Sequence, residues 1–108
     1  MTLKIGQKYK KVDFKIDKSS FRLSEIIVQG ELFMFFTMDE KYKNSIEPDG
    51  LVYECRCQCS VIPKDVKAKL QPHVFIREKK GDKFEYLGKG LYETRYNEKC
   101  NKIFIKGE

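Results

Sequence analysis

At 108 residues the chain is long enough for one modest core and too short for two, so a single domain over residues 1–108 is expected. Its 41% hydrophobic and 35% charged content fits a well-solvated globular domain, and no apolar run approaches the ~20 residues of a membrane helix. A net charge of +6 favours polyanionic partners by steering and counterion release, but charge alone does not separate DNA from RNA or from an acidic protein.

The opening residues, MTLKIGQKYKK, lack the unbroken apolar stretch of a secretory signal, and a cytoplasmic location is the default expectation. From Lys11 to Asp17, charged residues alternate with Val12, Phe14 and Ile16, the period of a half-buried strand. Lys18 to Gly30 fits neither period and reads as a short helical turn leading into a strand that Gly30 ends. Glu31 to Thr37 is apolar on both alternating faces, as in a strand covered on both sides or one crossing from a barrel interior to an outer helix. Asp39 to Gly50 reads as a polar loop closing on the turn Pro48-Asp49-Gly50, a place where binding groups are often mounted.

Leu51 to Ile62 reads as a strand with Leu51, Tyr53, Cys55, Cys57, Cys59 and Val61 on its core face. Pro63 suits the first turn of a short helix, Lys64 to Leu70, which Pro72 stops. His73 to Gly90 then reads as a hairpin. Val74 to Ile76 is the apolar centre of its first strand, Gly81-Asp82 reverses the chain, and Phe84 to Leu87 begins the return. Gly88 and Gly90 release or kink that return strand, which LYETRY extends, and KIFIK (Lys102 to Lys106) closes the chain as a final strand. The sum is a mainly β (α+β) domain of about six mostly antiparallel strands and one or two short helices. A small closed or partly open barrel would hide the edges of so many strands.

The chemistry-bearing residues favour binding over catalysis. Cys55, Cys57, Cys59 and Cys100 invite a zinc reading. Yet alternate strand residues stand ~6.6 Å apart, zinc draws each sulfur to ~2.3 Å, and CxxC knuckles are absent. Buried core cysteines are the favoured reading, with a metal site or a disulfide as the alternatives. His73 is the single histidine and precedes an apolar strand with no nucleophile elbow, so packing or surface placement is favoured over catalysis. No carboxylate pair or phosphate-cradling glycine loop stands out, and neither a metal nor a cofactor is expected. What remains is a positive surface with interleaved rings. Tyr42, Tyr53, Tyr86, Tyr92 and Tyr96 could stack on bases, with Arg56, Arg77 and Arg95 on phosphate or base edges, although strand tyrosines also serve as packing.

The order of segments resembles the small β-barrel modules of bacterial restriction enzymes that attack modified DNA, akin to the SRA and PUA barrels. These are the domain ending some phospholipase-D/helicase restriction enzymes and the similar HNH-fused domain. The motifs that carry the resemblance are Gly6-Gln7-Lys8-Tyr9, the aromatic strand LFMFFT, and a Tyr42 loop closing on Asp49-Gly50. They continue with Tyr53 to Gln58, Val74-Phe75-Ile76-Arg77-Glu78 and Phe84-Glu85-Tyr86-Leu87-Gly88. Cys55 and Cys57 stand where the relatives carry an aromatic, a glycine or a serine, and no HNH, helicase or phosphodiesterase signature is present.

The resemblance implies a PUA/SRA-like barrel and a non-catalytic DNA-binding module that flips a modified (5-methyl) cytosine out of the duplex. Such a module would target a nuclease or helicase domain, in cis or in trans, to methylated DNA. It also implies Tyr42 and Tyr53 as stacking walls, Asp49 as acceptor for the cytosine amine, and Gln58 on the base edge or in the duplex gap. Lys43, Arg56, Arg77, Lys79 and Lys80 would hold phosphate. A stand-alone protein-interaction module or an RNA-binding PUA-like module is the alternative.

Overall fold

The computed structural model describes residues 2–21, 23–39, 44–54 and 69–105. Among these, eight strands follow in order: β1 (Lys8–Tyr9), β2 (Glu25–Val28), β3 (Glu31–Thr37), β4 (Ser45–Glu47), β5 (Gly50–Glu54), β6 (His73–Arg77), β7 (Phe84–Arg95) and β8 (Cys100–Ile105). They form one sheet in the order β2-β3-β6-β7-β8-β5-β4, with β1 added along β7. Every pairing is antiparallel except β3 with β6, which run parallel. The mainly β expectation holds, but the sheet does not close, so the closed form of the expected barrel is not what this chain adopts. Two short strands, β2 and β4, end the sheet instead, and brevity is one way a protein limits the hazard of an open edge.

The sheet bends into two wings at β7. The first wing holds β1, β2, β3, β6 and the start of β7; the second holds β4, β5, β8 and the end of β7. Two irregularities produce the bend. The β6–β7 register shifts between Val74 and Phe75, opposite Gly88 at φ +120°, and the β7–β8 register shifts between Gly90 and Tyr92. An extra residue on one strand increases local twist and turns the strand, and glycine admits the required backbone angle. The kink expected near Gly88 and Gly90 is therefore present, inside a strand that continues through it.

β3 is covered on both faces, and each face owns a core. Phe33 and Phe35 join Phe75, Phe84, Tyr86, Tyr9, Phe14 and Ile16 on one side. Leu32, Met34 and Phe36 join Val74, Leu51, Tyr53 and Ile103 on the other, between the wings. The cover over the first core is a correction to the sequence reading. Lys11 to Asp17 is not a strand: Lys11–Phe14 is a 3-10 turn, with Asp13 Oδ2 accepting the Lys10 N–H at 2.8 Å and Lys15 in the left-handed region at φ +59°. The alternation still aimed Phe14 and Ile16 inward, while Val12 is left 56% exposed.

Elsewhere the reading and the fold differ in detail. Lys18–Ser20 is a second 3-10 turn leading to β2, as expected, and Gln29-Gly30 then close a two-residue hairpin with both φ angles positive (51° and 80°). β4 lies inside the stretch read as loop, and Pro48-Asp49 turn it into β5. The hairpin β6–β7, the extension of β7 to Arg95 and the closing strand β8 stand where the pattern put them. The helix read at Lys64 to Leu70 lies outside the described residues except for its last two positions. No described helix is long and apolar enough to cross a membrane.

Candidate nucleic-acid interface

Positive charge in this chain is regional. The segment 2–21 carries six lysines against two aspartates, and the hairpin segment 73–90 carries five basic against three acidic residues. β1 joins these two segments by pairing Lys8 with Glu85 and Tyr9 with Phe84, and the Gly6 N–H donates to the Tyr86 carbonyl at 2.8 Å. Glu25 and Glu31 on β2 and β3, with Asp39 just beyond, offset part of that surplus, and among the described residues of the second wing, 44–54 and 91–105, five acidic side chains stand against three basic ones. Folding thus brings Lys8, Lys10 and Lys11 beside the β6–β7 hairpin that carries Arg77, Lys79, Lys80 and Lys83, with Lys8 on the face opposite the one where Lys11 and Arg77 lie over Phe84.

Two of these cations are positioned from beneath. Lys11 Nζ donates to the carbonyls of Phe21 and Leu23 and stands 5.0 Å from the Phe35 ring centre and 5.6 Å from that of Phe84. Arg77 lays its guanidinium 4.5 Å over the same Phe84 ring and donates from Nε to Thr37 Oγ1 at 2.9 Å. Burial, and then the neighbouring Arg77 charge, pull the Lys11 ammonium down to about 8. Lys79 and Lys80 are exposed at the hairpin turn. A shallow depression of about 100 Å³ brings Lys8, Arg77 and Lys83 together with Glu78, Asp82 and Glu85. Charges alternate and balance within the depression, and the positive excess around it comes from Lys79, Lys80 and the neighbouring lysines of the first segment.

Of the residues singled out for phosphate, Arg77, Lys79 and Lys80 lie on the β6–β7 hairpin. Lys43 and Arg56 lie outside the described residues, as do Tyr42 and Gln58 of the base-binding set and Cys55, Cys57 and Cys59. The other two base-binding candidates sit on the second wing. Tyr53 is 6% exposed, its ring 4.9 Å from that of Phe36, and its hydroxyl donates to Glu93 Oε2. Burial foremost, then the Glu93 carboxylate, hold that hydroxyl protonated far above the usual tyrosine range. In this conformation Tyr53 is a packing residue rather than an open stacking wall. Asp49 is exposed at the β4–β5 turn and bound to Lys102 Nζ at 2.7 Å, a contact that lowers its pKa. The other tyrosines do not converge either: Tyr86 is in the first core, while Tyr92 and Tyr96 are 59% and 51% exposed on the second wing. Cys100 is buried and unoxidised, and no group of His, Cys, Asp and Glu able to hold a metal occurs among the described residues.

Sequence reasoning missed Lys8, Lys10, Lys11 and Lys83 as members of the basic group. The run Lys8-Tyr9-Lys10-Lys11 was visible, but its partnership with the hairpin depends on the β1–β7 pairing, which no local pattern announces. His73 packs against the Phe33 and Tyr86 rings, in keeping with the packing role expected for it, and adds two hydrogen bonds the sequence did not announce. Its Nδ1 lies 2.9 Å from the Tyr86 hydroxyl and its Nε2 lies 2.9 Å from Glu31 Oε1. A neutral ring satisfies both contacts, accepting from Tyr86 and donating to Glu31. Tyr86 is buried, and this chain of bonds fixes the three side chains relative to one another. No protein-family model matches the chain, and no curated protein does.

Proposed function

We infer that the chain is a non-catalytic nucleic-acid-binding module, with the basic residues of β1 and the β6–β7 hairpin as its phosphate contacts. The observation that carries this reading is the meeting of two lysine-rich segments, far apart in sequence, through β1 and β7, while the described residues of the second wing are net acidic. Lysines arrayed along a surface release counterions from a phosphate backbone, and that release supplies sequence-independent affinity. The choice of DNA, and of a modified cytosine flipped from the duplex to direct a nuclease, rests on the resemblance to SRA and PUA barrels. On that reading the open two-winged sheet is a partly open version of those barrels. Extrusion of a base costs a few kcal/mol, which contacts to the base must offset.

The test is a fluorescence titration of the chain with unmodified duplex, 5-methylcytosine duplex and structured RNA over a range of salt. The methylated duplex is expected to bind tightest, with log K falling linearly in log salt. Combined Lys79→Ala, Lys80→Ala and Lys83→Ala substitution is expected to weaken binding to all sequences alike and to reduce the salt slope by about 1 for each lysine that contacts phosphate. Equal, salt-independent binding to all three polymers would sink the reading. One observation favours a second reading, protein interaction: Tyr92 stacks on Phe104 at 4.5 Å yet stays exposed, on the acidic wing.

A further inference from the structure

β7 outruns its neighbour. Its pairing with β6 reaches His73 opposite Lys89, after which Gly90 to Arg95 continue with β8 on the other side. The parallel strands β3 and β6 both begin at that level, so the chain entering each of them forms the banks of a groove beside the extending strand. This groove, about 460 Å³, lies within the ~300–1,000 Å³ range of ligand sites. Its lining is mostly polar; Leu32 and Leu70 back it from the core between the wings, and Leu91, 44% exposed, is its open apolar contact. Lys69 and Lys89 line it as well, both exposed, together with Glu31.

The Glu31 carboxylate is not a loose surface group on its bank. His73 Nε2 binds one of its oxygens, and Tyr86 fixes the ring from the opposite nitrogen. The bond from His73 is the largest influence holding the Glu31 pKa below the usual carboxylate range, so the group is an ionised acceptor at neutral pH. The exposed Leu91 side chain suits the face of a flat ring, two ammonium groups suit a phosphate, and an oriented carboxylate suits an N–H donor, as when Asp or Glu accepts from the cytosine amine.

We propose that this groove takes one nucleotide unit whose base carries an exocyclic amino group, with its phosphate against Lys69 and Lys89 and its amine against Glu31. The proposal deepens the nucleic-acid reading and rests on it for the source of the nucleotide. It moves base recognition from Asp49 and Tyr53 on the second wing to the junction of β3, β6 and β7.

Amide spectra of the ¹⁵N-labelled chain titrated with CMP, UMP and inorganic phosphate test it. CMP is expected to shift the amides of Glu31, Lys89 and Leu91 and to bind at least about fivefold tighter than UMP, the low end for one base contact. Glu31→Gln is expected to erase that preference, and Lys89→Glu to weaken both nucleotides. Because Glu31→Gln removes a partner of His73, the exposed Leu91→Ala provides a second probe. It is expected to weaken CMP while leaving phosphate unchanged and thermal unfolding within a degree or two. Phosphate binding as tightly as CMP, UMP matching CMP, or shifts confined to other residues would each overturn the proposal. Duplex titrations with the same variants separate the two ideas. If the groove variants bind duplex as the native chain does, and the hairpin lysine variants do not, the groove assignment falls and the nucleic-acid reading stands. CMP binding in the groove without any duplex binding overturns only the nucleic-acid reading and leaves a site for free nucleotides.

Discussion

The two cores on either side of β3 are made of different materials. On one face rings meet rings: Phe35 and Phe75 lie 4.9 Å apart, Phe33 stacks on Phe75 within 8° of parallel, and Phe14 reaches both Phe33 and Phe75 from the 3-10 turn. On the other face the most deeply buried side chains are aliphatic, with Leu51, Val74, Leu32, Met34 and Ile103 at 1% exposure or less. The difference follows from what covers each side. An irregular segment offers few contact points, so each must be large, and aromatic rings bury ~150–250 Å² apiece. Two facing strands offer many contact points in register, and branched aliphatic chains interdigitate there without polar atoms to satisfy.

The largest expected effects break this contrast directly. Phe75 is completely buried and touches five other rings, so Phe75→Ala is expected to cost about 3–5 kcal/mol in urea denaturation. Ile103→Ala, on the aliphatic side, is expected to cost about 2–5 kcal/mol and less than Phe75→Ala in the same experiment. A larger loss at Ile103 would reverse the ranking and place the dominant core between the wings.

A smaller effect sharpens where the second wing is tightest. A Cβ at Gly50 would stand 2.3 Å from the Ile103 carbonyl oxygen, a backbone atom that cannot rotate away. Gly50→Ala is therefore expected to cost about 1–3 kcal/mol through a forced strand shift. At Gly90 the nearest atom is the Ile103 Cδ1 at 2.7 Å, the end of a movable side chain, so Gly90→Ala is expected to cost less. Equal losses in thermal unfolding would mean that the bend in β7 is as rigid as the β5–β8 ladder.

The smallest expected effect concerns the cationic cover. Lys11 titrates near 8 in the folded chain against 10.5 when unfolded, because burial and Arg77 disfavour its charge. The unfolded chain therefore holds the extra proton between these values. The penalty is full below pH 8 and fades as pH rises toward 10.5, so stability attributable to this group increases across that window. Urea midpoints of the native chain and Lys11→Met, compared from pH 7 to 10.5, are expected to converge as the pH climbs. A constant difference between them would show that the Lys11 charge is not disfavoured by its site.

Much of the sheet was legible because β6, β7 and β8 carry local patterns of their own, and the double-sided burial of β3 could be read from LFMFFT. The backbone of Lys11–Phe14 was not, since inward Phe14 and Ile16 give the same alternation whether a strand or a turn presents them. β4 escaped because Ser45, Ile46 and Glu47 are exposed or half-buried and take their strand geometry from β5 alone. The site was less legible still. Tyr53 was read correctly as facing the core, and that placement conflicts with its second role as a stacking wall. The basic group and the groove both arise where segments distant in sequence meet, at β1 with β7 and at the starts of β3 and β6. Long-range pairing of that kind leaves no trace in local periodicity.

One wall serving two rooms has a thermodynamic consequence. Because alternate side chains of β3 belong to different cores, neither core can melt while the other keeps its full complement. The wings should consequently lose structure together, in a single calorimetric transition whose van't Hoff and measured enthalpies agree.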